Sequence, residues 1–147
     1  MKIAIGCDHA AVELKNTLIE QLKAEGYEYT DFGVNEGEKC DYPDMAEQVC
    51  ISVTKKEHDF GVLLCGTGIG MSMAANKVKG IRAALVSDCF CAKYTRLHND
   101  ANVICMGART MGVGLAGELL HIFLTTEFEG GRHAVRVDKM MAIEKNS

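Results

Sequence analysis

The chain has 147 residues, 48% of them hydrophobic and 24% charged, with a formal net charge of −4. That length fits one domain over residues 1–147 with no separate substrate domain, and the acidic balance argues against a broad nucleic-acid surface while leaving room for a local basic pocket. No apolar run approaches the roughly 18–20 residues of a membrane span, and MKIAIGCDH reaches Cys-Asp-His before a signal-peptide stretch forms; a cytoplasmic protein is expected.

Apolar runs of strand type alternate with helical patterns along the whole chain. Residues 2–6 (KIAIG) read as a strand, and 10–25 as a helix with Leu14, Leu18 and Leu22 on one stripe. Gly26 is placed to end that helix in a left-handed conformation. Residues 27–32 form a second strand closed by Gly33, and a polar loop over 35–41 leads to Pro43, suited to the first turn of a helix reaching about residue 56. A third strand covers 59–65, with a helix over 69–78. A fourth covers 81–86, with a helix over 88–97. A fifth covers 102–106, with a helix over 113–124. The last helical pattern runs from 133 to 143. Strands that alternate with helices of this length predict an α/β fold, a Rossmann-like doubly wound five-stranded parallel sheet covered on both faces. The final helix has no strand after it and is expected to pack outside the layers, against a second subunit.

In such a fold ligands sit beyond the carboxyl ends of the strands. Cys7, Asp8 and His9 follow strand one, Cys65 and GTGIG follow strand three, Ser87 and Asp88 follow strand four, and Gly107 and Arg109 follow strand five. GTGIG lets a backbone approach closely and aims N–H groups at an anion. It is also half of a dinucleotide fingerprint, with Met71 where a full motif needs glycine and Asp88 placed 22 residues beyond Gly66. A tight strand–helix turn without a ligand is the plain alternative, and a nest for one phosphate or enolate-like oxyanion fits the turn best.

Cys65 ends an apolar run, as a core residue would, yet it feeds a turn whose dipoles favour negative charge. A thiolate beside an oxyanion nest suits acid–base or covalent chemistry. In EGGRHAVRV (residues 129–137), Arg132 and Arg136 share a helix face next to His133 and suit a phosphate, with a solvated basic face as the plain reading. The seven cysteines are odd in number and contain no CxxC pair, so most are expected to be small buried hydrophobes. No His/Asp/Glu set has metal-ligand spacing, and no metal is expected. His58 and His121 show no partners in the sequence and receive no role. His98 lies in the turn before strand five, away from its own chain's crevice.

The segments GCDHA (6–10), DYPD (41–44), CGTGIGMSMAANK (65–77), GIRAALV (80–86), HNDAN (98–102), GAR (107–109) and EGGRHAVRV (129–137) together resemble the ribose-5-phosphate isomerase type B family, which includes galactose-6-phosphate isomerase subunits. The resemblance covers nearly the whole chain. It implies an aldose–ketose isomerase that interconverts ribose 5-phosphate and ribulose 5-phosphate through a cis-enediolate, with no cofactor. It implies a homodimer or dimer of dimers whose sites are shared between subunits. On the matching positions, Cys65 is the base on carbon. The backbone of Gly66, Thr67, Gly68, Ile69 and Gly70 is the anion hole. His98, assisted by Thr67, opens the sugar ring. Asp8, His9, Asn99, Arg109, Arg132 and Arg136 are sugar or phosphate contacts.

A glutamate replaces the cysteine in another branch of the family, and Cys65 places this chain in the cysteine branch. Allose 6-phosphate, galactose 6-phosphate or a tetrose phosphate are the alternative substrates. Two other classes stay open. A phosphate- or nucleotide-binding module would make Cys65 and His98 dispensable, and a dinucleotide-binding domain would use Asp88.

Overall fold

Aliphatic side chains run almost unbroken through the three central strands, the pattern of a parallel sheet covered on both faces. The computed structural model describes residues 1–147. In chain order the elements are β1 (Lys2–Cys7), α1 (Val12–Ala24), β2 (Glu28–Asp31), α2 (Tyr42–Thr54), β3 (Phe60–Cys65), α3 (Ile69–Ala75), β4 (Ala83–Leu85), α4 (Cys89–Leu97), β5 (Val103–Gly107), α5 (Val113–Thr125) and α6 (Arg132–Lys145). The five strands form one parallel sheet in the order β2-β1-β3-β5-β4. It is the expected doubly wound α/β architecture.

Alternation along the strands divides the core in two. Ile3, Ile5, Val62, Leu64, Ile104 and Met106 pack with Leu14, Leu18 and Leu22 of α1 and Leu119, Leu120 and Phe123 of α5. On the other face, Ala4, Leu63, Cys65, Val103 and Cys105 meet Ala46, Val49 and Val53 of α2 and Met71 and Ala75 of α3. Each fully buried leucine contributes about 1.5–3 kcal/mol relative to exposure. Within the leucine-bearing face of α1 sits Lys15, fully buried. Its ammonium group donates to Asp31 at 2.7 Å and to the Val34 carbonyl at 3.1 Å, tying the end of β2 and its following loop to the helix.

Several ends differ from the sequence expectation for local reasons. α1 closes as expected at Gly26, which has φ +80, while the Tyr27 N–H reaches the Leu22 carbonyl at 2.9 Å. It starts later than residue 10, because the Asp8 carboxylate takes the Ala10 N–H and the Asp8 carbonyl takes the Ala11 N–H. α3 stops at Ala75, short of residue 78, and the Asn76 side chain turns to the open edge of β4. There its amide pairs with both the N–H and the carbonyl of Ala83 at 2.9 Å. β4 shortens to three residues because the Asn102 side chain accepts the Arg82 N–H at 2.7 Å.

α6 was expected to pack outside the layers. It runs past the β4 edge of its own chain, where the Glu144 carboxylate takes the Gly80 N–H at 3.0 Å and Met141 meets Arg82.

Candidate active site

The strand order reverses between β1 and β3, and the crevice there opens onto the first group of sequence-predicted residues. Asp8 follows β1, buried, with Oδ1 spent on the Ala10 N–H; His9 beside it is exposed. Cys65 ends β3 at 6% exposure, and its sulfur accepts the Gly68 N–H at 3.1 Å.

Gly68 holds φ +77, and a Cβ there would lie 2.9 Å from the Met106 carbonyl carbon and 2.6 Å from Leu85. Only glycine lets the turn lie this close to the sheet. The turn then leaves the N–H groups of Thr67, Gly70 and Met71 without a protein acceptor, while Ile69 N–H reaches the Thr67 hydroxyl at 3.3 Å. Arg109 is placed by its N–H bond to the Gly66 carbonyl at 2.9 Å, and its guanidinium lies against Gly66. The Tyr42 ring covers Gly70, a neighbour the sequence did not single out.

The remaining predicted residues gather elsewhere. His98, Asn99 and Arg136 line a separate cavity with His133, Val137 and Met140. The helix that carries Arg132, His133 and Arg136 is entered through Gly130 and Gly131, at φ +72 and +56. Cys65 pairs with Gly107 at the carboxyl end of β5, whereas His98 precedes the other end of that strand. A five-residue strand separates the two edges by about 13 Å. The structure therefore brings Cys65, Asp8, His9, Arg109 and the glycine turn together at one edge of the sheet. It brings His98, Asn99, Arg132 and Arg136 together at the other.

Sequence spacing missed what holds the second group. Asp100, at φ +46, is clamped by Arg96 at 2.8 Å and Arg82 at 3.1 Å, which fixes the turn carrying His98 and Asn99. Sequence spacing also showed no metal-type cluster, yet His98, Glu129 and His133 bring three donor atoms within 4.8 Å of one another. The i,i+4 spacing of Glu129 and His133 was the available signal; His98 joins them only through the fold. The set is poorly arranged for a cation. Arg132 Nε already donates to His133 Nε2 at 3.4 Å, and the two imidazoles lie 9° from parallel, so their lone pairs do not converge.

Three expectations change in detail. Asp88 is the N-cap of α4, its carboxylate accepting the Cys91 N–H at 2.8 Å, which accounts for an acid at that position without a ribose. His58 does have a partner, the Thr30 hydroxyl at 2.8 Å, and His121 pairs with Glu25 at 3.2 Å. Both belong to packing away from the two residue groups.

A family profile described as Ribose/Galactose Isomerase matches residues 3–140. A Listeria innocua protein named Ribose-5-P isomerase B is 48% identical, over 100% of this chain and 99% of its own. A Pectobacterium atrosepticum D-erythrulose-4-phosphate isomerase is 45% identical, over 95% of this chain and 93% of its own. The solved structure of Clostridium thermocellum ribose-5-phosphate isomerase B superposes with a TM-score of 0.97 at 47% identity, covering 99% of each chain. The chain belongs to the ribose/galactose isomerase family.

Proposed function

We propose that this chain is a ribose-5-phosphate isomerase, acting as one sugar-phosphate isomerase domain over residues 1–147. The observation that carries the reading is the Cys65 sulfur accepting the Gly68 N–H in a turn that also presents unclaimed N–H groups. A base on carbon and donors for an enediolate oxygen then occupy one turn. His98 gives a proton to the ring oxygen as the anomeric hydroxyl loses its own. The bond from C1 to the ring oxygen breaks, and C1 becomes an aldehyde. Cys65 removes the C2 proton and negative charge moves to the C1 oxygen beside the N–H groups; the C2 hydroxyl proton then passes to the C1 oxygen, and as Cys65 returns its proton to C1 the C2–oxygen bond becomes the carbonyl of the ketose. Arg132 and Arg136 hold the phosphate, and Asp8, His9, Asn99 and Arg109 contact the sugar phosphate.

One chain leaves its two residue groups at opposite edges, which supports a dimer or dimer of dimers in which His98 serves the neighbouring Cys65. Ile69 and Met73 on α3 and Leu85 on β4 are exposed apolar side chains beside the glycine turn, and Phe90 on α4 is another toward His98. Such a surface suits a second copy. All seven cysteines are free, in keeping with a reducing cytoplasm, and no helix is long and apolar enough to cross a membrane.

Incubation with ribose 5-phosphate and no added cofactor should yield ribulose 5-phosphate. Binding without any ketose would leave only a phosphate-binding module. The Pectobacterium relative's name favours testing a tetrose phosphate alongside, with allose 6-phosphate and galactose 6-phosphate; a higher kcat/KM on one of these would reassign the substrate.

A further inference from the structure

The chemistry above gives no task to His133 or Glu129. His133 is 3% exposed, and its ring lies face to face with His98, centroids 3.9 Å apart and planes 9° from parallel. Tyr94, one helical turn before His98 on α4, meets the same ring at 4.8 Å and 69°, and is itself stacked on Phe90 at 4.3 Å. Glu129 Oε2 stands 3.8 Å from Nε2 of both histidines.

The charged and titratable groups around His133 are His98, Glu129, Arg132 and Arg136. Its Nε2 accepts from Arg132 Nε, so its own proton sits on Nδ1 and the ring is neutral. Burial first, then the nearby charge of His98, push its pKa below the usual histidine range. Two stacked imidazoles do not both carry charge at this separation. The torsion that turns an imidazole about its own axis is broad and roughly two-fold. An unsupported His98 would sample orientations that miss the ring oxygen, and misplacement of about 1 Å costs on the order of a hundredfold in rate.

We propose that His133 is a positioning residue for ring opening, a buried flat plate that fixes the plane of His98. The inference rests on the isomerase reading and adds to it a residue that never touches the reacting atoms.

The two directions of the reaction separate this role from a structural one. Ribose 5-phosphate is a furanose in water and must open. Ribulose 5-phosphate cannot close a five-membered ring, because its C5 oxygen is esterified, so exchange of its C1 hydrogen with D2O needs Cys65 but no ring opening. His133→Ala is expected to lower kcat on ribose 5-phosphate by about tenfold to a hundredfold while C1 exchange of ribulose 5-phosphate stays near wild type. His133→Phe, which restores a flat ring without nitrogen, should recover most of the conversion.

Equal loss of both rates in His133→Ala would show a role in folding or phosphate binding and overturn the proposal. So would no loss at all, or a phenylalanine variant no better than alanine. The His98 ring protons in NMR spectra read the stack without substrate: shielded in the wild type and in His133→Phe, released in His133→Ala. Unchanged His98 resonances in His133→Ala would also overturn it. A wild-type protein inert in both assays would sink the isomerase reading instead, and the NMR comparison would still report on the stack.

Discussion

Cys65 shares this chain with six other thiols, and their surroundings separate them. Burial pushes the Cys7 thiol up to about 11 and Cys50 up to about 12, and it raises Cys105 well above the usual thiol range. These three pack the core as neutral groups. The Cys65 sulfur instead accepts the Gly68 N–H at the mouth of the glycine turn. Cys65→Ala is expected to lower turnover of ribose 5-phosphate by roughly 10²–10⁴ and to leave the inhibition constant of a non-reacting sugar phosphate nearly unchanged, because in the proposed mechanism the thiol acts on carbon and the arginines hold the phosphate. Steady-state kinetics with such an inhibitor measures both. Near wild-type turnover would remove Cys65 from the role of base.

At the scale of single elements, short contacts decide which residues belong to a site and which to a helix end. α4 begins with Asp88 capping the Cys91 N–H and ends at His98, so one helix carries a structural acid at one terminus and the proposed ring-opening residue at the other. Asp88→Ala should cost about 1 kcal/mol of stability, read as a lower urea midpoint, with isomerase kinetics unchanged. A fall in kcat/KM without a stability change would return Asp88 to ligand binding. The sequence could not separate these readings, because an acid before a helix serves as a cap or as a sugar ligand with the same spacing.

In the proposed assembly a second copy supplies what one chain lacks. Cys65 and His98 lie at opposite edges of the sheet, so Cys65→Ala and His98→Ala should complement each other when the two proteins are unfolded together and reassembled. Random pairing makes about half of the dimers mixed, each with one intact shared site. Recovery near a quarter of wild-type activity is expected. No recovery after demonstrated subunit exchange would overturn the shared site.

Whole-molecule stability should depend on pH through two buried histidines. Burial lowers the pKa of His58 and of His133, and His58 Nδ1 is buried without a partner. The unfolded chain takes up these protons near pH 6.5, the folded chain only at lower pH. Stability is therefore full above about pH 6.5 and falls as pH drops through the folded values. Urea midpoints should be lower at about pH 5.5 than at about pH 7.5, and His58→Gln should flatten that slope. An unchanged slope in the variant would assign the loss to other groups.

By itself the sequence determined the elements, because unbroken aliphatic strands and amphipathic helices are local patterns. It also determined the glycine that ends α1 at position 26, since the left-handed φ there leaves few other residues possible. The tertiary structure alone decided which of those pieces face one another. Strand order split the predicted residues between two edges of the sheet, and neither spacing nor composition encodes strand order. Burial turned Lys15 into the partner of Asp31 and the loop after β2, and the meeting of the first turn of α6 with the C-terminal end of α4 laid His133 on His98. Contacts between residues 16 and 35 positions apart come from how helices pack on a sheet, and no local signal carries them.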